Sequence, residues 1–352
     1  MKPDIAVGVI GYGYWGPNLV RNLHKTPGFR VRAISDAVPG RLASALRIFP
    51  SARGFASGEE LLARGEVEAV AIATPVHTHY PLARAALKSG KDVLLTKPAT
   101  LNSAEARELV ILARRLRRVL MMEHTFVYSG AVRALKRLID RGKLGKLYYF
   151  DAVRVNLGAF QSDVNVLWDL APHDLSILDF LIGADPISLS AVGAAPIRTR
   201  DWSRESIAHL TLRYRGDFFA HIHVNWLSPI KIRRTLIGGS RRMVVYDHLD
   251  VDNQLRIFDK GVDLHSIEAL SRALVSYRIG DMMAPKVDTT EALEHECRHF
   301  ADCIRRRSRP LTDGEAGYRV VRLLELADQS MSQGGRTLPV RFSFGRSSKA
   351  GR

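Results

Sequence analysis

The chain has 352 residues, of which 46% are hydrophobic and 25% are charged. This is the composition of a globular protein, and it excludes a fibre or a disordered chain. Because a single hydrophobic core seldom exceeds ~250 residues, we expect two domains. No segment approaches the ~18 consecutive apolar residues of a membrane-spanning helix, so we predict no membrane association.

The N-terminal residues and the cysteines indicate the cellular compartment. Asp4 stands where a secretory signal would be apolar, so we expect the N-terminus to be part of the fold and the protein to be cytoplasmic. The chain contains two cysteines, Cys297 and Cys303. Six residues apart on one predicted helix, they are not placed to form a disulfide, and we interpret them as packing residues.

The surplus of 52 Lys and Arg over 36 Asp and Glu gives a formal charge of +16 and favours anionic partners. The basic residues form short clusters without an aromatic-interleaved binding module, so we predict no nucleic-acid partner. Solvated helix faces, or guidance of a phosphorylated substrate, explain the charge better.

Short apolar runs alternate with helical patterns over residues 1–124. The predicted strands are Ile5–Ile10, Phe29–Ile34, Ala69–Ala73, Asp92–Leu95 and Val119–Met122. The predicted helices are Pro17–Lys25, Gly40–Ile48, Glu59–Ala63, Pro81–Lys88 and Ser103–Arg117. This alternation is typical of an α/β, doubly wound Rossmann domain with parallel strands.

The pattern changes over residues 125–340, where strand candidates follow one another without intervening helices. Helices are predicted at Ala131–Arg141, Trp168–Leu181, Thr289–Arg306 and Gly314–Ser332. Strands are predicted at Lys146–Asn156, Ile187–Val192, Ile207–Tyr214, Phe218–Trp226, Lys231–Gly238 and Met243–Tyr246, with a hairpin turn at residues 215–217. We therefore expect a second, α+β domain with a mainly antiparallel sheet, and a frayed basic tail at residues 341–352.

The first strand ends in Gly11-Tyr12-Gly13-Tyr14-Trp15-Gly16, a GxGxxG sequence that opens a helix. The glycines allow a tight turn, approach of a pyrophosphate to the backbone and close packing of helix on strand. Asp36 ends the second strand, where an acid binds the adenine ribose hydroxyls and repels a 2′-phosphate. We predict NAD as the cofactor, and NADP remains an alternative because of Arg41. The other interpretation is a glycine-rich turn followed by a capping Asp.

Ligands of open α/β sheets bind beyond the carboxyl ends of the strands. Three polar segments occur at such ends: Thr74-Pro75-Val76-His77, Thr96-Lys97-Pro98 and Glu123-His124. Lys97 is either a functional cation or a solvated lysine, and His77 is either a neighbour of the cofactor or a capping residue. Further along, Asp169 and His173 are four residues apart on one predicted helix face. Alternatively, Asp169 is an N-cap and His173 a packed side chain.

The segments GYGYWGPNLVRNL, ATPVHTHY, Lys97–Pro98 and VLWDLAPHDLSIL occur in the order found in one family. Over residues 5–340 the chain resembles the glucose-fructose oxidoreductase, inositol dehydrogenase and rhizopine-catabolism (Gfo/Idh/MocA) family. The resemblance implies a Rossmann domain followed by an open-faced sheet domain that often forms the oligomer interface, here of a homodimer or homotetramer. It also implies oxidation or reduction of a ring carbon of a sugar, nucleotide sugar or cyclitol with NAD or NADP.

The resemblance assigns Lys97, Asp169 and His173 as catalytic residues. The residues expected to bind the cofactor are Gly11, Gly13, Tyr14, Trp15, Gly16, Asp36, Thr74, Pro75, His77, Thr96, Lys97 and Pro98. The residues expected to contact substrate are Lys97, Asp169, His173 and Glu123.

The chain departs from the family at two positions. Thr96 replaces the family's Glu before the lysine, and Glu123 stands where relatives usually have glycine. We hypothesise that Glu123 supplies the missing carboxylate beside Lys97; the alternative is that Glu123 caps a helix or faces solvent.

In the expected reaction His173 is the general base, because imidazole with a pKa near ~6.5 can accept the hydroxyl proton at neutral pH. Asp169 orients the ring or binds a neighbouring hydroxyl, Lys97 stabilises the developing oxyanion, and the chemistry needs no metal. The basic surplus and the WDLAPH segment favour a nucleotide sugar oxidised at a secondary hydroxyl. An inositol or free-sugar dehydrogenase, and a dinucleotide-binding regulator without catalysis, are the alternatives.

Overall fold

The computed structural model describes residues 3–344, apart from residues 159, 162, 200–202 and 264–275. The described chain divides into two compact units. The first contains the residues up to 128 together with residues 290–322, and the second contains residues 129–289 and the residues from 323 onward. The predicted basic tail lies outside the described residues from position 345.

The first unit is built on a six-stranded sheet. Its strands are β1 (Ile5–Ile10), β2 (Phe29–Ser35), β3 (Arg53–Phe55), β4 (Ala69–Ile72), β5 (Asp92–Thr96) and β6 (Leu120–Glu123). They are parallel and lie in the order β3-β2-β1-β4-β5-β6, the doubly wound arrangement that the sequence predicts. Every residue of β4 and β5 is buried, as expected for strands that are covered on both faces.

Five helices connect these strands: α1 (Gly16–Lys25), α2 (Pro39–Ile48), α3 (Gly58–Arg64), α4 (His79–Lys88) and α5 (Ser103–Arg115). Leu19, Val20 and Leu23 of α1 are fully buried, which confirms the apolar face predicted for this helix. Side chains cap two of the others, because Ser57 accepts from the backbone N–H of Glu60 and Asn102 from that of Glu105.

Two C-terminal helices, α8 (Ala292–Arg306) and α9 (Gly314–Ser332), follow the second unit in sequence. All of α8 and the first part of α9 belong to the first unit, whereas the sequence-based boundary assigned them to the second domain. Phe300 packs against Phe29 with ring centroids 5.7 Å apart, and Arg307 donates to both carboxylate oxygens of the buried Asp92 at 2.9 Å. Cys297 and Cys303 of α8 are buried and free, as expected.

The second unit is built on a nine-stranded sheet. Its strands are β7 (Leu147–Leu157), β8 (Ser188–Ala194), β9 (Ile207–Arg213), β10 (Phe219–Asn225), β11 (Leu227–Gly239), β12 (Met243–Asp247), β13 (Leu255–Asp263), β14 (Ser276–Met283) and β15 (Leu338–Pro339). Their order is β14-β13-β12-β11-β7-β10-β9-β8-β15, and the β7–β10 pair is parallel while the others are antiparallel. This mainly antiparallel sheet confirms the predicted α+β class. The predicted turn is present between β9 and β10, where Gly216 has φ of +76°.

Helices α6 (Gly130–Asp140) and α7 (Val166–Ile182) pack together, and α7 also contacts β7, β9 and β10. Residues alternate between buried and partly exposed along β9 and β10, so one face of the sheet is covered. A buried ion pair joins helix to sheet: the guanidinium of Arg154 donates to both carboxylate oxygens of Asp174, at 2.7 and 3.0 Å. None of the helices in the described part of the chain is long and apolar enough to cross a membrane.

We expect Asp174→Ala to lower the free energy of unfolding by about 3–5 kcal/mol, because it leaves a buried guanidinium without its carboxylate. Urea denaturation measures the change. The matched control is Asp140→Ala, which removes the partly exposed Lys136–Asp140 pair of α6 and should cost no more than about 0.5 kcal/mol. Equal losses in the two variants would contradict the role assigned to the buried pair.

Candidate active site

The glycine-rich loop after β1 has the geometry of a dinucleotide-binding turn. Gly11 has φ of +98°, and a Cβ on it would lie 2.6 Å from the carbonyl oxygen of Ala73. A Cβ on Gly16 would lie 2.2 Å from the carbonyl oxygen of Gly11, so both positions require glycine. At Gly13 the nearest atom to such a Cβ is a guanidinium nitrogen of Arg41, 3.8 Å away. The backbone at Gly13 therefore faces open space.

Asp36 fastens this loop. Its carboxylate accepts the backbone N–H of Tyr12 at 2.7 Å and that of Val38 at 2.8 Å, so it also performs the turn-capping role of the alternative interpretation. Two carboxylate oxygens offer roughly four acceptor positions, which leaves capacity for ribose hydroxyls. Tyr14 is 96% exposed at the tip of the loop, and Trp15 is the N-cap residue of α1.

These residues fit NAD. The space beside Gly13 and the amino end of α1 would receive the pyrophosphate, and Asp36 would receive the adenine ribose. Arg41 places a cation beside the same loop, which favours the phosphates of either dinucleotide. We expect the carboxylate at position 36 to discriminate between them.

The three polar segments lie at the carboxyl ends of adjacent strands, as predicted. Thr74 follows β4, Thr96 ends β5 and Glu123 ends β6. Thr96 and Glu123 are register partners in the two neighbouring strands. Pro75 and His77 are exposed, whereas Thr96 and Pro98 are buried. The peptide bond between Lys97 and Pro98 is cis.

His79, two residues after His77, lies between two of these segments. Its ring is buried, with Nδ1 2.9 Å from the carbonyl oxygen of Pro98 and Nε2 2.8 Å from that of Thr74. Burial lowers the pKa of His79 more than the carbonyl contacts raise it, so the ring is neutral at physiological pH. The neutral ring has one N–H and donates it to one of the two carbonyl oxygens, while it packs against the other segment.

Glu123 is buried and close enough to Lys97 for the two charges to interact. Burial raises the pKa of Glu123 to about 7, although the Thr125 hydroxyl and the charge of Lys97 both lower it. The adjacent His124 is also buried; its pKa falls to about 4 through burial and the same lysine charge. Glu123 therefore does not face solvent, and the interpretation of Glu123 as a solvent-exposed residue is wrong.

Asp169 and His173 belong to the second unit, on α7. The helix begins at Val166, and its N-cap is Asn165, whose side-chain oxygen accepts the backbone N–H groups of Leu167 and Trp168. The interpretation of Asp169 as an N-cap is therefore wrong. Pro172 lies inside the helix and not in its first turn.

The carboxylate of Asp169 is held in place. The indole N–H of Trp226 donates to Asp169 Oδ2 at 3.2 Å. The amino end of α7 is anchored to α9, because Asp328 accepts from the indole of Trp168 at 2.6 Å and from the amide of Asn165 at 3.0 Å. Asp169 and His173 are both half-buried and lie one helical turn apart on the same face. The helix thus presents a fixed carboxylate beside an imidazole.

The structure groups the predicted residues within each unit. In the first unit it assembles the glycine loop and Asp36, and it places Thr96, Lys97 and Glu123 together at the end of β5 and β6. In the second unit it aligns Asp169 with His173. Sequence reasoning missed Thr125 and Glu296 of this neighbourhood, and it interpreted His79 only as a capping or packing residue. His79 could have been suspected from its position after a strand end, but no spacing connects Glu296 with residues 171 positions earlier.

Comparison with known proteins agrees with this geometry. Residues 5–124 match the model of the oxidoreductase family with an NAD-binding Rossmann fold. Residues 132–245 match the GFO/IDH/MocA C-terminal domain. The chain therefore belongs to the GFO/IDH/MocA oxidoreductase family, and its cofactor is NAD.

Among similar sequences, the uncharacterized oxidoreductase YdgJ of Escherichia coli K12 is 31% identical over 71% of this chain and 73% of its own length. The UDP-N-acetylglucosamine 3-dehydrogenase of Acidithiobacillus ferrooxidans is 29% identical over 76% of this chain and 80% of its own length. An inositol 2-dehydrogenase of Leifsonia xyli is 31% identical over 53% of this chain and 56% of its own length.

Among solved structures, the Acidithiobacillus ferrooxidans dehydrogenase superposes with a TM-score of 0.77 at 26% identity, covering 94% of this chain and 99% of that one. The WlbA dehydrogenase of Bordetella pertussis, crystallised with NADH and UDP-GlcNAcA, superposes with a TM-score of 0.79 at 20% identity. The superposition covers 97% of this chain and 99% of the WlbA chain. At 20% identity this similarity concerns the fold alone.

We expect the protein to bind NADH more tightly than NADPH, and Asp36→Ser to reduce or reverse that preference. A hydrogen bond to a charged group contributes about 1.5–3 kcal/mol, so NADH affinity should fall about tenfold to hundredfold. NADPH affinity should rise, because the carboxylate that repels the 2′-phosphate is gone while Arg41 remains. Fluorescence titration of both dinucleotides measures this.

Asp36→Ser also removes the acceptor of two backbone N–H groups. Asp36→Asn is the matched control, because it keeps one side-chain oxygen as an acceptor while it removes the charge. Tighter binding of NADPH than of NADH by the unmodified protein would disprove the discriminating role of Asp36.

Proposed function

We propose that the protein is an NAD-dependent dehydrogenase or ketoreductase that acts on a secondary hydroxyl or ketone of a nucleotide sugar. The observation that carries this proposal is the fixed Asp169–His173 pair on α7 in a chain that also keeps Lys97 at a strand end of its NAD-binding unit. A chain that only bound NAD would have no need for a carboxylate held by Trp226 beside an imidazole.

His173 is the general base in the oxidative direction. Its imidazole accepts the proton of the substrate hydroxyl, so that the carbinol carbon can release hydride. NAD supplies the hydride acceptor when it is bound. In the reverse direction the same nitrogen returns the proton to the carbonyl oxygen.

Asp169 and Lys97 act on the charges that develop around that proton transfer. Asp169, held by Trp226, orients the imidazole or binds a neighbouring hydroxyl of the sugar. The ammonium of Lys97 stabilises the negative charge that develops on the reacting oxygen, and it polarises the ketone in reduction. A preorganised charge of this kind contributes to the transition state more than to substrate binding.

The substrate class is inferred from the relatives and the charge. UDP-N-acetylglucosamine is the substrate in the name of one similar dehydrogenase, and a UDP-sugar occupies the WlbA structure. The formal charge of +16 suits a diphosphate substrate. Inositol and free sugars are the second candidate, because inositol 2-dehydrogenases are also similar over about half the chain. A regulator that binds NAD without catalysis is the third.

We also propose that the protein forms a homodimer or homotetramer through the outer face of the nine-stranded sheet. Val192 and Phe219 on this face are 52% and 46% exposed, and His209 stacks on His223 at 4.2 Å between ring centroids. Apolar and aromatic groups on an uncovered sheet face are typical of a subunit interface. Sedimentation analysis of Val192→Asp would test it, since a charge there should dissociate the assembly.

A substrate screen separates the three candidate functions. Reduction of NAD is followed by its ultraviolet absorbance with UDP-sugars, free sugars and inositols in turn. Activity with UDP-sugars alone supports the proposal, and activity with inositol or free sugars supports the second candidate. Tight NAD binding with no turnover of any substrate supports the regulator.

His173→Ala should lower turnover about 10²–10⁴-fold, because a general base acts in the transition state, while the affinity for NADH stays unchanged. Steady-state kinetics and NADH titration measure the two quantities. Asp179→Ala, which removes an ionisable side chain elsewhere on α7, is the control and should keep its turnover. Full turnover by His173→Ala would make His173 a packing residue.

A further inference from the structure

Two buried carboxyl groups of the first unit meet at one hydroxyl. Glu123 at the end of β6 is 4% exposed, and Glu296 on α8 is fully buried. The Oγ1 atom of Thr125 lies 2.9 Å from Glu296 Oε2 and is also in hydrogen-bond contact with Glu123 Oε1. The mechanism above uses neither Thr125 nor Glu296, so this arrangement needs an explanation of its own.

Counting hydrogens restricts the protonation state of the three groups. The Thr125 hydroxyl carries one hydrogen and can donate it to one carboxylate only. An ionised carboxylate has no hydrogen to give, so two ionised groups would leave one contact as a repulsion between oxygen lone pairs. At least one of the two carboxyl groups must therefore be protonated and donate to the Thr125 oxygen.

The surroundings indicate which carboxyl group keeps the proton. Lys97 lowers the pKa of Glu123, which favours its ionised form. No cation has this effect on Glu296: burial and the charge of Glu123 raise its pKa well above the usual value, and the Thr125 hydroxyl and the His124 amide only partly oppose them. Glu296 is therefore the neutral acid, and the negative charge lies on Glu123.

His124, Tyr128 and Cys297, which lie around this cluster, carry no charge near neutral pH. The pKa of His124 is lowered to about 4, so its ring does not add a positive charge beside Lys97. Burial raises the pKa values of Tyr128 and Cys297. Lys97 and Glu123 are consequently the two charged partners within this part of the described structure.

We propose that Glu296, Thr125 and Glu123 form a hydrogen-bonded chain that holds one carboxylate beside Lys97 and so positions its ammonium. In this chain Glu296 donates to Thr125, Thr125 donates to Glu123, and Glu123 faces Lys97. Glu123 is the register partner of Thr96 on the neighbouring strand, so it reaches the lysine from the side. The three are positioning residues, and their effect on turnover rests on the role proposed for Lys97.

The chain has a defined response to pH. A carboxyl group whose pKa is raised to about 7 is ionised above that pH and gains a proton as the pH falls through it. The carboxylate beside Lys97 is therefore present in mildly alkaline solution and lost in mildly acidic solution. Glu296 stays protonated across the same range.

Infrared spectroscopy of protonated carboxylic acids tests the assignment without any substrate. At about pH 8, where ordinary carboxyl groups are ionised, the protein should show the carbonyl band of a buried acid, absent in Glu296→Gln and present in Glu123→Gln. A second band should grow as the pH falls, with a midpoint of about 7, and be absent in Glu123→Gln. Loss of the first band in Glu123→Gln but not in Glu296→Gln, or no such band in the unmodified protein, would overturn the proposal.

Kinetics test the effect on Lys97. Glu123→Gln and Thr125→Val should lower kcat about tenfold or more without changing the Kd of NADH, because they act on transition-state charge. Thr125→Ser keeps the hydroxyl and should recover most of the loss caused by Thr125→Val. Glu296→Gln should lose less than Glu123→Gln, since an amide N–H still donates to Thr125. Tyr128→Phe alters a neighbouring residue that is not part of the hydrogen-bonded chain, and it is the control for local packing.

A double-mutant cycle tests whether Glu123 takes over the position before the lysine. Adding Thr96→Glu to Glu123→Gln should recover part of the lost kcat, a coupling that independent sites would not show. Strictly additive effects of the two substitutions would disprove the hydrogen-bonded chain and leave the proposed function intact. The same holds if the kcat of Glu123→Gln equals that of the unmodified protein while His173→Ala is inactive. If no variant and no unmodified protein turns over any substrate, the proposed function fails and the infrared bands still decide the protonation pattern.

Discussion

A parallel strand that is buried on both faces has no place for a charged side chain in its interior. The cost of removing an unpaired polar group from water confines such groups to the strand ends, where backbone pairing stops. In this protein Asp36, Thr96 and Glu123 occupy the carboxyl ends of β2, β5 and β6, or the residue that follows. The glycine loop and Lys97 belong to the same edge. The whole candidate site of the first unit follows from this one restriction.

Burial then determines which of these groups are charged. His79 and His124 are neutral because no solvent stabilises an imidazolium at their positions, and Glu296 is neutral for the corresponding reason. The charge of Lys97 lowers the pKa of Glu123 and so favours a carboxylate beside the ammonium. A protein with a formal charge of +16 thus keeps a nearly balanced group at this strand edge. The long-range field of the surface and the local field of the site are separate properties.

The sequence predicted the fold well where the signal is local. Apolar runs and helical spacing located β1, β2, α1 and α9 within a residue or two, and the GxGxxG spacing predicted the turn at Gly11 and Gly16. Strand β3 was missed because three residues carry no measurable alternation. Strands β13 and β14 were missed because charged residues interrupt them: Arg256, Asp259 and Lys260 in one, Arg278 and Asp281 in the other. The N-cap of α7 was misplaced because Asn165 precedes an apolar triplet, whereas the more conspicuous Asp169 lies a turn inside the helix.

The site was predictable only in part, for the same reason. Asp36, Lys97, Asp169 and His173 stand out by position relative to a single strand or helix. The contact of Thr125 with Glu296 connects residues 171 positions apart, and a pattern within one element cannot reveal it. The proximity of Glu123 to Lys97 could be hypothesised from Thr96 and Glu123, the two positions at which the chain departs from the family pattern. The role of Glu296 could not be predicted, because Glu296 lies on α8, far from Glu123 in the sequence.

The position of α8 late in the sequence has a consequence for biosynthesis. The residues of the first unit up to 128 are translated before the second unit, yet the first unit also contains α8 and the first part of α9, which are made after residues 129–289. Until residues 296–307 are synthesised, Phe29 lacks Phe300, Asp92 lacks Arg307 and Thr125 lacks Glu296. The unit whose translation starts first is therefore incomplete until residues 290–322 have been made. A nascent chain holds an unfinished nucleotide-binding sheet throughout synthesis of residues 129–289, and premature termination in that interval yields a chain without the acid that completes the lysine's surroundings.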